Sequence, residues 1–250
     1  MSIGLLGKKV GMTQVFLEDG RAVGVTVVEA GPCPVLRVRT PEQDGYRAVQ
    51  LGFDEKPARL ISKPQAGQFA KAPGGAVTPR RFIREIRLSP TDEAPTAPVT
   101  VSVFSPGDFV DVTGTTIGHG FQGGMKRHHW RGGGASHGSM SHRRIGSMGS
   151  NTDPGRVLRG HRLPGHMGHV QRTIQSLEVI QVDSEHHLLV LKGTVPGHEN
   201  GYLVIRKALK RGRRVAPVVE VKKKQAKTAP VKQTKSQKQD VAAQRAKGKQ

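Results

Sequence analysis

A mainly β fold, an antiparallel barrel with a long insertion, is predicted by three features of the sequence. Short runs that alternate or concentrate Val, Tyr and Phe recur through the first 116 residues. Gly/Pro punctuation such as "GPCP", "PEQDG" and "SPG" separates them. The same pattern resumes after residue 173, beyond a glycine-rich basic block that lacks it.

The elements follow in order. "RAVGVTVVEA" (21–30), "VLRVR" (35–39), "YRAVQLGF" (46–53), "VTVSVF" (99–104) and "DFVDV" (108–112) read as strands, with one short helix near "KPQAGQFAKA" (63–72). "IQSLEVIQVDSEHHLLVLKG" (174–193) reads as two strands around a turn at Asp183–Glu185, and "GYLVIRKAL" (201–209) as another. Many short strands and few helices suit a closed or nearly closed sheet, which leaves no exposed edges. The predicted organisation is therefore a discontinuous β-barrel domain (1–116 and 173–215) interrupted by an extended loop (117–172). A low-complexity Lys/Gln/Ala tail (216–250) follows, with too little apolar surface to offset the entropy of ordering.

Charge divides the chain at the same places. The formal net charge is +21. Residues 117–172 hold nine basic side chains against one carboxylate, a net of +8, and 216–250 hold ten against two, also +8. The two β blocks carry only +2 and +3. Self-repulsion on this scale calls for a polyanionic partner, with nucleic acid favoured over an acidic membrane surface. The single cysteine, Cys33, has no intrachain partner, which fits a reducing compartment. The N-terminus "MSIGLLGKKVG" lacks a signal-peptide apolar region, and no stretch approaches the ~18 apolar residues of a membrane span. A soluble protein that stays where it is made is expected.

Three sharper motifs occur in the basic block, and each lacks its context. "GHGFQG" (Gly118, Gly120, Gly123) satisfies G-x-G-x-x-G, but no apolar helix follows and the next carboxylate, Asp153, lies 30 residues past Gly123. "GASHG" would make Ser136 the nucleophile of an elbow, yet "RGGG" before it is a poor strand end. Eight of the eleven histidines fall in 117–172, so a His₃ zinc site is conceivable. Their neighbours are arginines, however, and a divalent cation in a +8 segment is electrostatically costly. No metal or cofactor is expected.

An RNA-binding reading remains. Glycine lets the backbone approach phosphates closely, arginine offers a planar fork and a stacking face, and Trp130 with the histidines adds flat surfaces. Lys126, Arg127, His128, Arg131, His137, His142, Arg143, Arg144, Arg156, Arg159, Arg162, His166 and Arg172 are the expected contacts, with Lys8 and Lys9 of "GKKVGMT" on the same RNA surface. An RNA-modifying enzyme with a basic arm is the rival, and it would need a convergent acid/base or cofactor pocket. A free nucleic-acid chaperone is a third option.

"IGLLGKKVGMTQVF" (3–16), "VDVTGTTIGHGFQGGMKRH" (110–128), "SHGSMSHRRIGSMG" (136–149), "PGRVLRG" (154–160) and "GHMGHVQRTIQSLEV" (165–179) closely resemble the bacterial branch of the universal large-subunit ribosomal protein "L-three" family. The resemblance runs in order across roughly residues 1–215. It implies a cytoplasmic, non-enzymatic constituent of the large ribosomal subunit with no small-molecule substrate. Such a protein binds large-subunit rRNA directly, adjoins other ribosomal proteins and supports early assembly. It further implies that the inserted loop reaches toward the peptidyl-transferase centre, its tip at Ser150, Asn151 and Thr152. Many relatives carry at the tip a glutamine that becomes N5-methylated; this chain has none between Gly146 and Val170.

Overall fold

Strand β1 (Leu5–Phe16) begins with a buried apolar run and is held on both sides. It pairs antiparallel with β2 (Ala22–Ala30) and with β11 (Tyr202–Lys207). The sheet continues through β6 (Phe109–Thr115), β9 (Gln171–Asp183) and β10 (Leu188–Lys192), which returns to β2, so six strands form a closed barrel. The computed structural model describes residues 4–90 and 92–212. The tail expected over 216–250 lies outside the described residues.

Closure follows from alternation and from bulges. Val110 and Val112 of β6, Leu189 and Leu191 of β10, and Leu203 and Ile205 of β11 point inward and are fully buried. Register shifts occur at Lys9/Gly11, Val110/Val112 and Val190/Leu191, where an extra residue sharpens the strand bend. At the second shift Ser176 takes φ +58° and donates its backbone N–H to Asp111 Oδ1 at 2.8 Å. Gly114 leaves the room that Leu203 occupies: a Cβ there would lie 2.7 Å from Leu203 Cδ2. The β9–β10 turn is held by the Asp183 carboxylate, which accepts from the backbone N–H groups of Glu185 and His186. That hydrogen-bonded geometry, His186 foremost, holds the Asp183 pKa below its ordinary value.

A second antiparallel sheet joins β3 (Val35–Arg39), β4 (Ala48–Glu55) and β5 (Arg80–Arg87). Its inner side chains, Val35, Val49, Leu51 and Ile86, share one continuous core with the barrel. Tyr202 couples the two sheets by stacking on Phe82, with centroids 4.7 Å apart, and by donating to Asp54 Oδ2 at 2.6 Å. Helix α1 (Pro41–Asp44) closes the β3–β4 connection, and α2 (Lys63–Ala70) buries Phe69.

The mainly β expectation holds, with two corrections. The runs at 35–39 and 46–53 are strands of the second sheet and not of the barrel. Their third partner, "RRFIREIR", alternates clearly but was hidden by its arginines. "VTVSVF" is not a strand. Only Val99 bridges, to Cys33, and residues 101–103 form a 3-10 turn. That turn lets Val101 and Phe104, three apart, both reach the core, which an extended strand would place on opposite faces.

Candidate nucleic-acid interface

The barrel strands β6 and β9 continue outward as a two-limbed arm. Thr116 donates its backbone N–H to the Val170 carbonyl at 2.9 Å, and Val170 donates back to Thr116 Oγ1 at 3.2 Å. One step further the limbs nearly touch. Gly168 has φ +77°, and a Cβ on it would lie 2.0 Å from the Ile117 carbonyl oxygen, so only glycine serves there. Beyond this neck β7 (Gly120–Gln122) pairs with β8 (Gly165–Met167).

A five-residue helix, α3 (Gly124–His128), follows, and His129 ends it in the left-handed conformation. Trp130 then folds back onto Gly124; a Cβ on Gly124 would lie 1.9 Å from the indole Cε3. Arg127 Nη1 donates to the Leu163 carbonyl at 2.6 Å and His128 Nε2 to the same oxygen at 3.1 Å. Two of the expected RNA contacts therefore bind the limbs to each other.

Residues 129–164 contain no helix or strand, and from 131 to 162 none is buried; only Ser139 and Ile145 are half-buried. The segment keeps local order through a few links. Gly133 donates to the His142 carbonyl at 3.1 Å, and His142 Nδ1 lies 2.8 Å from the Gly134 carbonyl. Exposed apolar side chains lie along the arm, Phe121 at 76% and Met140 at 90%.

Electrostatics separate this arm from the rest. In the second sheet several arginines meet carboxylates: Arg39 with Asp44 and Glu85, Arg80 with Glu55, and Arg81 with Asp54. Among the described residues no carboxylate pairs with Arg131, Arg143, Arg144, Arg156, Arg159 or Arg162, all exposed. Lys126, His137, His166 and Arg172 are exposed as well, and so are Ser150, Asn151 and Thr152 at the far turn.

The two N-terminal lysines lie in other surroundings. Lys9 is only 8% exposed, and its Nζ donates to the carbonyls of Val195 and Gly197 at 3.4 and 3.3 Å. Lys8 is half-buried and lines a cleft of mixed charge with Arg80 and the carboxylates of Glu29, Asp54 and Glu55. Sequence treated "GKKVG" as basic surface because barrel closure, which brings residues 195–201 to Lys9, is a long-range event.

The rejected motifs gain no support from geometry. The glycines of "GHGFQG" enter an antiparallel ribbon and a five-residue helix, not a βαβ unit. Ser136 lies in irregular chain with no strand before it. Among the described residues no three His, Cys, Asp or Glu side chains gather in a metal-binding group.

What sequence reasoning missed is a cleft of about 680 Å³ lying where three passes of the arm converge: residues 130–133, 141–146 and 160–162. It draws in Ile145 and His161, neither singled out beforehand as a contact.

Fold and site together define a class: a mainly β protein with a strongly basic arm, nine Lys and Arg against one carboxylate over residues 117–172, that has no core of its own from 131 to 162. The family model "Ribosomal protein L3" matches residues 90–187, which span β6, the whole arm and β9. "Large ribosomal subunit protein uL3" of Pelobacter propionicus is 48% identical over 211 residues, covering 84% of this chain and all of the relative. The protein of that name from Corynebacterium jeikeium is 51% identical (84% of this chain, 95% of the relative), and that from Halalkalibacterium halodurans 52% (84% and 99%). The chain belongs to the ribosomal protein L3 family.

Proposed function

We propose that this chain is a structural, non-catalytic constituent of the large ribosomal subunit in the cytoplasm, binding large-subunit rRNA directly through the arm at 117–172. The observation that carries this reading is the contrast in charge pairing. Arg37, Arg39, Arg80 and Arg81 of the second sheet have carboxylate partners, whereas the six exposed arginines from Arg131 to Arg162 have none among the described residues and share their segment with a single carboxylate, Asp153. RNA phosphates supply the missing anions, and RNA surfaces cover Phe121, Met140 and the backbone that no core shields. The curated relatives' names support the same assignment.

The β domain is the anchoring body, and the arm is a discontinuous insertion that takes its final shape against RNA. Lys126, Arg127, His128, Trp130, Arg131, His137, His142, Arg143, Arg144, Arg156, Arg159, Arg162, His166 and Arg172 are its contact residues. Binding of this kind acts early, because an arm threaded through RNA must enter before the RNA closes round it. Neighbouring ribosomal proteins meet the exposed face of the body. The turn at Ser150, Asn151 and Thr152 reaches toward the peptidyl-transferase centre and shapes it through packing, without a catalytic group.

Sedimentation of cell extract tests the assignment. Stoichiometric recovery in the large subunit is expected, and a free pool with catalytic turnover would overturn it. Replacing Asn151 and Thr152 tests the tip. Altered peptidyl transfer or antibiotic sensitivity is expected, and no change in either would remove the tuning role.

A further inference from the structure

We infer that the cleft at the convergence of the three arm passes is a receptor for one unpaired nucleotide of RNA, its base against Trp130 and its phosphate on the surrounding arginines. This deepens the rRNA-binding reading above and rests on it. Each pass brings one cation to the cleft: Arg131 from the first, Arg144 from the second and Arg162 from the third. No carboxylate lines it. The apolar wall is equally local. Trp130 is half-buried with Gly124 beneath its ring, and Ile145 is the one half-buried apolar side chain between 131 and 162.

An open cleft with Trp130 and Ile145 as its apolar side chains and three arginines around them suits a ligand that combines a π face with an adjacent phosphate. A nucleotide has both within one residue. The volume, about 680 Å³, lies in the ~300–1,000 Å³ range of sites that enclose a small ligand. A base-paired helix presents phosphates on a convex surface and keeps its base faces stacked, so it cannot fill such a concavity. An extrahelical base can. Gly132, Gly133, Gly146 and Gly160 supply walls of bare backbone, so the ligand can approach main-chain polar groups without meeting a side chain.

Trp130 is the only tryptophan of the chain, so its emission reports on the cleft directly. The test titrates the full-length protein with a short RNA duplex carrying one bulged adenosine, with its fully paired counterpart, and with free adenosine monophosphate. The bulged duplex should quench Trp130 and bind about 5- to 100-fold more tightly than the paired one, the range that base–aromatic stacking supplies. Trp130→Ala should abolish the preference while paired-duplex affinity persists, and Trp130→Phe should keep it. Equal, salt-dependent affinity for both duplexes with no quenching would overturn the cleft assignment alone. No salt-dependent binding to either would overturn the rRNA-binding reading itself. Micromolar saturation by the free nucleotide would overturn the assignment to RNA.

Discussion

The Arg127 guanidinium donates to the Leu163 carbonyl at 2.6 Å, fastening the outgoing limb of the arm to the returning one just beyond the β7–β8 ribbon. Gly165 makes room for it, since a Cβ there would lie 2.6 Å from Arg127 Nη1. Arg127 is thus first an internal tie and second a cation. Arg127→Met should speed amide exchange in Gly165–Met167 about tenfold, in keeping with loss of a charge-assisted hydrogen bond at a half-exposed position. Barrel amides in β6 and β9 should be unaffected, because the arm adds nothing to the buried cluster.

Lys9 separates fold from binding within one dipeptide. Its ammonium satisfies the Val195 and Gly197 carbonyls, while its backbone N–H donates to Gly201 O and its carbonyl accepts from Asn200 N–H. Lys9→Met keeps the aliphatic stem but leaves two carbonyls with one partner fewer. A loss of about 1–3 kcal/mol is expected, seen as a Tm lower by about 2–10 °C for a domain of this size. RNA affinity and its salt slope should stay the same. Lys8→Ala should change neither stability nor salt slope.

Arg143 and Arg144 test the arm as an anion receptor. Both are exposed without a carboxylate partner among the described residues. Each phosphate contact contributes about 0.7–0.9 to the log–log salt slope. Replacing both with Ala should therefore flatten the slope by about 1.4–1.8 while leaving Tm unchanged. An unaltered slope together with unaltered subunit assembly would rule out the threaded arm.

Much of this was legible in the sequence because it is local. Strands at 22–30, 188–192 and 202–207 announce themselves by two-residue alternation, and the arm by composition. What sequence did not reveal depends on pairing across distance. Nothing in "VLRVR" says that its partner is "AVQLGFDE" in a separate sheet, since both sheets feed one core. The burial of Lys9 depends on a loop more than 180 residues away. The cleft at Trp130 is assembled from three passes that share no motif; the glycines of the block, read as places where backbone approaches phosphate, also form its walls at 132, 133, 146 and 160.

Cys33 gives a pH test of the shared core. Its thiol is buried between the two sheets and donates to the Leu6 carbonyl at 3.4 Å. Burial, the dominant cause, pushes the pKa up to about 12 from 9.0, against smaller opposing effects from Leu6 and Arg80. The folded state therefore holds this proton more tightly than the unfolded chain does. The associated stability is fully present below pH 9 and is lost as pH rises from there toward 12. Between pH 8 and 10.5 the group should cost about 2 kcal/mol. Tyrosines and lysines titrate in the same window, so the comparison is with Cys33→Ala, whose Tm should start lower because of the cavity but fall less over that interval. In the native protein a thiol reagent at pH 8 should label Cys33 only at the rate of unfolding, and in denaturant at once. Rapid labelling of the native protein would show that the sheets do not close over it.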